Sequence, residues 1–261
     1  MNVRSLTIAL IVCAAVAGGC LETDSEPVST TSWDDTKQAP DGSKVSDAPS
    51  PRISAGTFMA SGRMLEQQND YPGAIRQYDR ALANDANLTE AHNRQGIAYQ
   101  KLGMFAEAEA AYRKGVRSSP DSAMLHNNLG YCYLLQEKYE AAEGEFRDAL
   151  VIAPNFDKAR MNLGIVLART ERIADSVAEF SQIMPAEVAY YNVAVLCTET
   201  KNYVDARRAL RRALKINPEY RRAQSHLNRI SGLADARTPG GEVRTADEPD
   251  RAGEDAARTP Q

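Results

Sequence analysis

A small residue returns at a fixed distance through the middle of this chain. Gly62, Gly96, Gly130, Gly164 and Ala194 are separated by 34, 34, 34 and 30 residues. Two further sets agree with that register: Ala74, Ala108, Ala142, Ser176 and Ala206, and the bulky Tyr78, Tyr112, Phe146, Phe180 and Leu210. A period of this length confines the chain to a tandem array, because one such unit cannot bury its own apolar face and must stack on its neighbours. Within a period, small and apolar residues fall twice at helical spacing. Leu129, Gly130 and Tyr133 form one stripe and Tyr139, Ala142, Phe146 and Ala149 the next, with a break near Glu137 and Lys138. The unit is a helix hairpin and the fold class is all-α.

Gly or Ala midway along each first helix lets paired backbones approach at the short end of the 8–10 Å packing range. Pro120, Pro154 and Pro218 stand where one hairpin hands over to the next, with Ala86 at the first such place. Proline lacks an amide hydrogen and disfavours helix in the residue before it, so it separates the units. A bulky residue, Leu-Gly and Tyr in the first helix, then Ala, an aromatic, Ala and Pro, resembles the tetratricopeptide repeat family across residues 55–220. The resemblance implies a right-handed superhelical solenoid of five hairpins, at 55–88, 89–122, 123–156, 157–186 and 187–220. Residues 221–234 follow as a capping helix, with Ala223, Leu227, Ile230 and Leu233 on one stripe and a polar outer face. Two departures stand out. The bulky first position holds Phe58, His92, His126, Arg160 and Tyr190, never Trp, and the fourth unit is four residues short, running through Ile183, Met184 and Pro185 into the fifth. A local change in superhelix pitch is expected at Pro185.

Residues 1–19 carry Arg4, an apolar run from Leu6 to Ala17 and two glycines before Cys20, which reads as an export signal. The run is shorter than the about 20 residues a spanning helix needs. Small residues directly before Cys20 resemble a bacterial lipobox, implying cleavage ahead of Cys20 and its acylation; the alternative is secretion with cleavage after Ala17. Leu21, rather than Asp, after the cysteine implies the outer membrane facing the periplasm. Two or three acyl chains anchor stably where one binds marginally. Residues 20–54 are rich in Ser, Thr, Pro and Asp and read as a disordered tether with a reach of roughly 30–35 Å. Residues 235–261 read as a disordered tail.

At 43% apolar, 25% charged and a net charge of −4, the chain gives no sign of a nucleic-acid partner. No zinc-type His-Glu pair, paired-cysteine spacing, phosphate-cradling loop or serine elbow occurs, so no catalytic residue, cofactor, metal or small-molecule substrate is assigned. His92 and His126 share one register position. Cys132 and Cys197 lie on first helices two units apart, too far for a disulfide, and read as small buried groups.

What remains is a binding surface. Positions two, five, six, nine, twelve and thirteen of each unit face the inside of the superhelix. They place Met59, Ile97, Met124, Tyr131, Leu134, Leu135, Met161, Ile165, Tyr191 and Val195 there, with Asn93, Asn127, Asn128, Asn162 and Asn192 among them. Apolar groups gathered on a concave face mark a partner site. Asn128, Asn162 and Asn192 recur at one position, which resembles the asparagine ladder of repeat proteins that grip extended peptides; each amide offers a donor and an acceptor. A second surface is basic: Arg207, Arg208, Arg211, Arg212, Lys215, Arg221 and Arg222, suited to an acidic partner or anionic head groups. The expected function is a non-catalytic, lipid-anchored adaptor holding a protein segment in its groove. Its architecture resembles lipoproteins of type IV or Flp pilus and secretin assembly; recruitment of cell-wall hydrolases or proteases is the alternative adaptor role, and an enzyme with an unrecognised site is the alternative of a different class.

Overall fold

The computed structural model describes residues 53–231. The export signal with Cys20, most of the tether and the tail lie outside the described residues. Eleven helices and no strand occur within them. The first helices of the hairpins are α1 (Ala55–Gln67), α3 (Thr89–Lys101), α5 (Ala123–Leu135), α7 (Asp157–Arg169) and α9 (Ala186–Glu199). The second helices are α2 (Tyr71–Asn84), α4 (Phe105–Ser118), α6 (Tyr139–Ile152), α8 (Ile173–Ser181) and α10 (Tyr203–Ile216), and α11 (Arg221–Ser231) closes the array. Each helix packs on the next in sequence, the closest pairs being the two helices of one hairpin.

The recurring small residue does the work its position suggests. A Cβ added to Gly96 would lie 2.5 Å from the Tyr112 ring, one on Gly130 2.8 Å from Phe146, and one on Gly164 2.7 Å from Phe180. These distances are well inside van der Waals contact, so glycine is what allows an aromatic ring between the two helices. In the fifth hairpin Ala194 occupies that place and the facing residue shrinks to Leu210; both are fully buried. The volume is conserved while its division between helices changes.

Each hairpin turns through one residue with positive φ at the same register position: Asn69, Gly103, Glu137, Glu171 and Lys201, at φ between 59° and 73°. Only one is glycine. The turn geometry is therefore imposed by the packing of the two helices rather than by a permissive residue.

Successive units meet through a second recurring position, alanine in all but one, where Leu125 packs against Gly115 of α4. Ala91, Leu125, Ala159, Ala189 and Ala223 are all fully buried at one register. Ala223 shows that α11 stands where the first helix of a sixth unit would stand, which is why it caps the array. First helices of adjacent units approach one another more closely than second helices do, so α3, α5, α7 and α9 line the inner side of the curve. The four-residue deletion is taken from α8, nine residues long where the other second helices have 14. Across Pro185, α7 approaches α9 more closely than other successive first helices approach one another.

Candidate functional site

The inner face is built from positions five and six of α3, α5 and α7, and close approach of those helices joins their amides. Asn162 Nδ2 donates to Asn127 Oδ1 at 3.0 Å, Asn127 Nδ2 to Asn128 Oδ1 at 3.3 Å, and Asn128 Nδ2 to Asn93 Oδ1 at 2.8 Å. The sequence suggested separate amides presented to a ligand. In the folded protein they form a head-to-tail chain across three units, with Asn93 and Asn127 themselves buried. Asn192 does not join it, donating instead to Met184 Sδ at 3.1 Å. That pairing follows from the shortened fourth unit, which brings Met184 to the start of α9. The chain has two open ends among the described residues: the Asn93 amide donates to nothing, and Asn162 Oδ1 accepts nothing.

The apolar lining divides in two. Ile97, Tyr131, Leu135, Met161, Ile165, Tyr191 and Val195 are half-buried along the inner face, and Met124 is 51% exposed. Met59 and Leu134 are corrections to the expected surface, at 3% and 4% exposure. Met59 is covered by Ala91 and Tyr78, because position five turns toward the next first helix. Leu134 belongs to the central cluster with Leu129, Phe146 and Leu163, since α5 is packed on nearly every side. At the far end Tyr191 lies 5.4 Å from Tyr220 and 5.9 Å, edge-on, from His226, which closes the face against α11.

Sequence models of the tetratricopeptide repeat match residues 62–103, 93–157 and 188–220. The first three hairpins and the fifth match tetratricopeptide repeats, and the shortened fourth shares their fold. Among solved structures, the chain resembles YrrB, described as a tetratricopeptide repeat protein with an unusual peptide-binding site. The two are 23% identical with a TM-score of 0.53, over 66% of this chain and 91% of that one. It resembles MamA at 18% identity and a TM-score of 0.53, over 72% and 98% of the two chains. It also resembles PilF of Pseudomonas aeruginosa at 20% identity and a TM-score of 0.50, over 69% and 92%. At these identities the likeness is one of fold. No curated protein sequence matches the chain.

The bulky first position of the repeat has a role that its recurrence in the sequence already hinted at. In the second to fourth hairpins it ties the unit to the turn before it: His92 Nε2 lies 3.0 Å from the Ala86 carbonyl, His126 Nε2 3.0 Å from that of Pro120, and Arg160 Nη2 donates to that of Pro154 at 2.6 Å. The remaining nitrogens of His126 and Arg160 meet Glu145 and Glu179 at 2.7 and 2.8 Å. His126, Glu145 and Asp148 bring ligand atoms within 4.8 Å of one another. The parallel pair Arg160–Glu179, which has no metal-binding nitrogen, marks this arrangement as a hydrogen-bonded pair of the repeat. Cys132 and Cys197 are buried, and burial pushes their thiols up to about 11 and about 12, so neither is a thiolate near neutrality.

Of the basic patch, Arg208, Arg211, Arg212 and Lys215 are exposed on α10, and Arg221 and Arg222 at the start of α11; Arg207 is half-buried. Arg208 is paired with Asp205 at 2.6 Å. Other charges tie units together. Lys138 pairs with Glu109 at 2.9 Å and Arg172 with Glu143 at 2.8 Å, each reaching from the start of one second helix to the preceding one.

Proposed function

We propose that this repeat array is a non-catalytic scaffold that holds an extended segment of a partner protein along the inner faces of α3, α5, α7 and α9. The observation that carries the reading is the amide chain from Asn162 to Asn93 with its two open ends, bordered by half-buried Ile97, Tyr131, Met161 and Ile165. An extended main chain offers both a carbonyl for the Asn93 amide and an N–H for Asn162 Oδ1. The adjoining Met and aromatic side chains give an adaptable apolar bed. A peptide-binding site described for YrrB, a protein of the same fold, is compatible with this use of the repeats.

The anchor is a separate proposal, supported by the signal-like run before Cys20: acylation of Cys20 tethers the array to the outer membrane on its periplasmic side. Labelled palmitate incorporation that is lost in Cys20→Ser tests it; incorporation unaffected by that change refutes it. A place in pilus or secretin assembly is a narrower proposal, supported by the order of signal, cysteine, tether and repeats. It predicts loss of pilus assembly on deletion of the gene. For the groove, crosslinked capture by the full chain is compared with a Tyr131→Lys, Leu135→Glu, Val195→Lys variant that keeps its helical circular dichroism. Loss of the captured partner is expected, and equal capture overturns the reading.

A further inference from the structure

Three consecutive hairpins solve one local problem differently. His126 and Arg160 each place a nitrogen on the carbonyl of the preceding turn and a second nitrogen on a glutamate, Glu145 and Glu179. His92 makes the same carbonyl contact, to Ala86. The residue in register with the two glutamates is Ala111. His92 is 5% exposed, and its Nδ1, the nitrogen that in His126 meets Glu145, has no partner among the described residues. With Nε2 donating to the carbonyl, Nδ1 carries an unused lone pair.

The space left by the missing side chain is open. His92 and Ala111 line a groove of about 720 Å³ between α2 and α4, over α3. Toward the C-terminal end of α4 its rim has also changed sign. Where the third hairpin has Asp148 and Val151, the second has Lys114 and Arg117, and both cations line the groove. On the α2 side Asp79 is occupied by the Gln95 amide at 2.7 Å. Relative to the third hairpin, α4 has lost two acids, at the positions of Glu145 and Asp148, and gained two cations around a buried, unpartnered imidazole nitrogen.

We propose that the groove between α2 and α4 is a carboxylate-binding site, in which a ligand's carboxylate takes the place that Glu145 and Glu179 fill in the following hairpins. The site lies between second helices, away from the inner face, and does not rest on the reading of that face. Its ligand is an acidic side chain on a short flexible arm. This chemistry has two sources: a partner's acidic segment, or the chain's own tail with Asp247, Glu248, Asp250, Glu254 and Asp255.

A carboxylate only accepts, so occupancy requires a proton on Nδ1, taken from solvent as His92 becomes imidazolium. In the empty site burial holds His92 below its ordinary range, and Lys114 and Arg117 act in the same direction. Asp79 and Glu107 line the groove with the opposite sign, and Tyr99 is neutral there. Binding and protonation are therefore coupled, and affinity rises as pH falls, by up to about tenfold per unit for one proton.

The test is a titration of the full chain with N-acetylglutamate α-amide, followed by the ring nitrogen resonances of its histidines. A saturable change at His92, absent at His126 and tighter at pH 6 than at pH 7, is expected. Ala111→Glu supplies the carboxylate within the chain, so its His92 ring adopts the signature of His126 and the response to the probe disappears. His92→Phe, which removes the donor, abolishes binding by calorimetry and serves if Ala111→Glu does not fold. Neutralising the five tail acids together with Asp235 and Glu242, the other two of the tail, distinguishes the sources. If this alone moves the His92 resonance, the tail is the occupant; if His92 is unmoved but responds to the probe, the occupant comes from outside. No response at His92 in either the wild-type or the neutralised chain, or an undiminished response in Ala111→Glu, overturns the proposal.

Discussion

Gly130→Ala tests whether the array is held by complementary volumes inside each hairpin. The new Cβ would lie 2.8 and 2.9 Å from two atoms of the Phe146 ring and 3.2 Å from the Ala142 carbonyl oxygen. The ring contact is short of an ordinary one by about 0.6 Å. Phe146 is fully buried and has no free space to turn into, so α5 and α6 must move apart. Overpacking of this kind costs about 1–3 kcal/mol. Against it stands the gain in helix propensity from Gly to Ala, about 0.8–1 kcal/mol. The net loss expected is about 0–2 kcal/mol. Phe146→Leu alone leaves a void and costs a similar amount, about 1–2 kcal/mol. Together the two changes recreate the Ala194 and Leu210 pairing of the fifth hairpin, so the double variant should recover to within about 1 kcal/mol of the wild type. Urea unfolding of the four proteins, followed by circular dichroism, gives the coupling energy directly. A coupling of at least about 1 kcal/mol is expected; costs that simply add, within about 0.5 kcal/mol, would refute the volume argument.

Other consequences are as direct. Glu137→Gly relieves a left-handed conformation that costs roughly 1–2 kcal/mol in an L residue and loses part of the gain to unfolded-state entropy, so its urea midpoint should rise slightly. Gly103→Ala, with open space around its Cβ, isolates the backbone cost and should lower stability by about 1 kcal/mol. His226 is held below its ordinary range by burial and by Arg229. Its contribution is therefore complete above pH 6.5 and lost as pH falls through its folded value, and thermal melts should show that decline flattened in His226→Leu, by at most about 1.4 kcal/mol per pH unit. Asn127→Ala removes the middle of the amide chain, leaving Asn162 Nδ2 without its acceptor and Asn128 Oδ1 without its donor; a loss of about 1–2 kcal/mol is expected by urea unfolding, and no change would show that the chain contributes nothing to stability.

The hairpins and their register were legible because three independent sets of residues share one period, and packing demands of glycine, alanine and aromatic residues differ enough to show through. The closing helix was legible for the same reason, although its equivalence to a sixth first helix rests on Ala223 alone in the sequence. The inner face was legible only as a set of directions. Whether an amide there is free depends on how near the next first helix comes, and Asn128 and Asn162 give no local sign of the neighbours that receive them. Met59 and Leu134 sit at inward positions by angle, yet adjacent units cover them; position within one helix cannot report that. The left-handed turn residue left no compositional mark, since four of the five are Asn, Glu or Lys. The second hairpin's unfilled His92 position was visible as a missing glutamate once His126 and Arg160 had shown what their register position does.

Shape in this array is settled mainly inside each hairpin, as between Gly130 and Phe146, whereas the charged pairs Lys138–Glu109 and Arg172–Glu143 are settled between hairpins. The order of the units is thus written in charge and, where Gly115 receives Leu125, in volume as well. Exchanging the second and third hairpins would leave every internal fit intact, yet Lys138 would face Ile75 and Glu143 would face Met104, so such a shuffled chain would fold its modules and misjoin them.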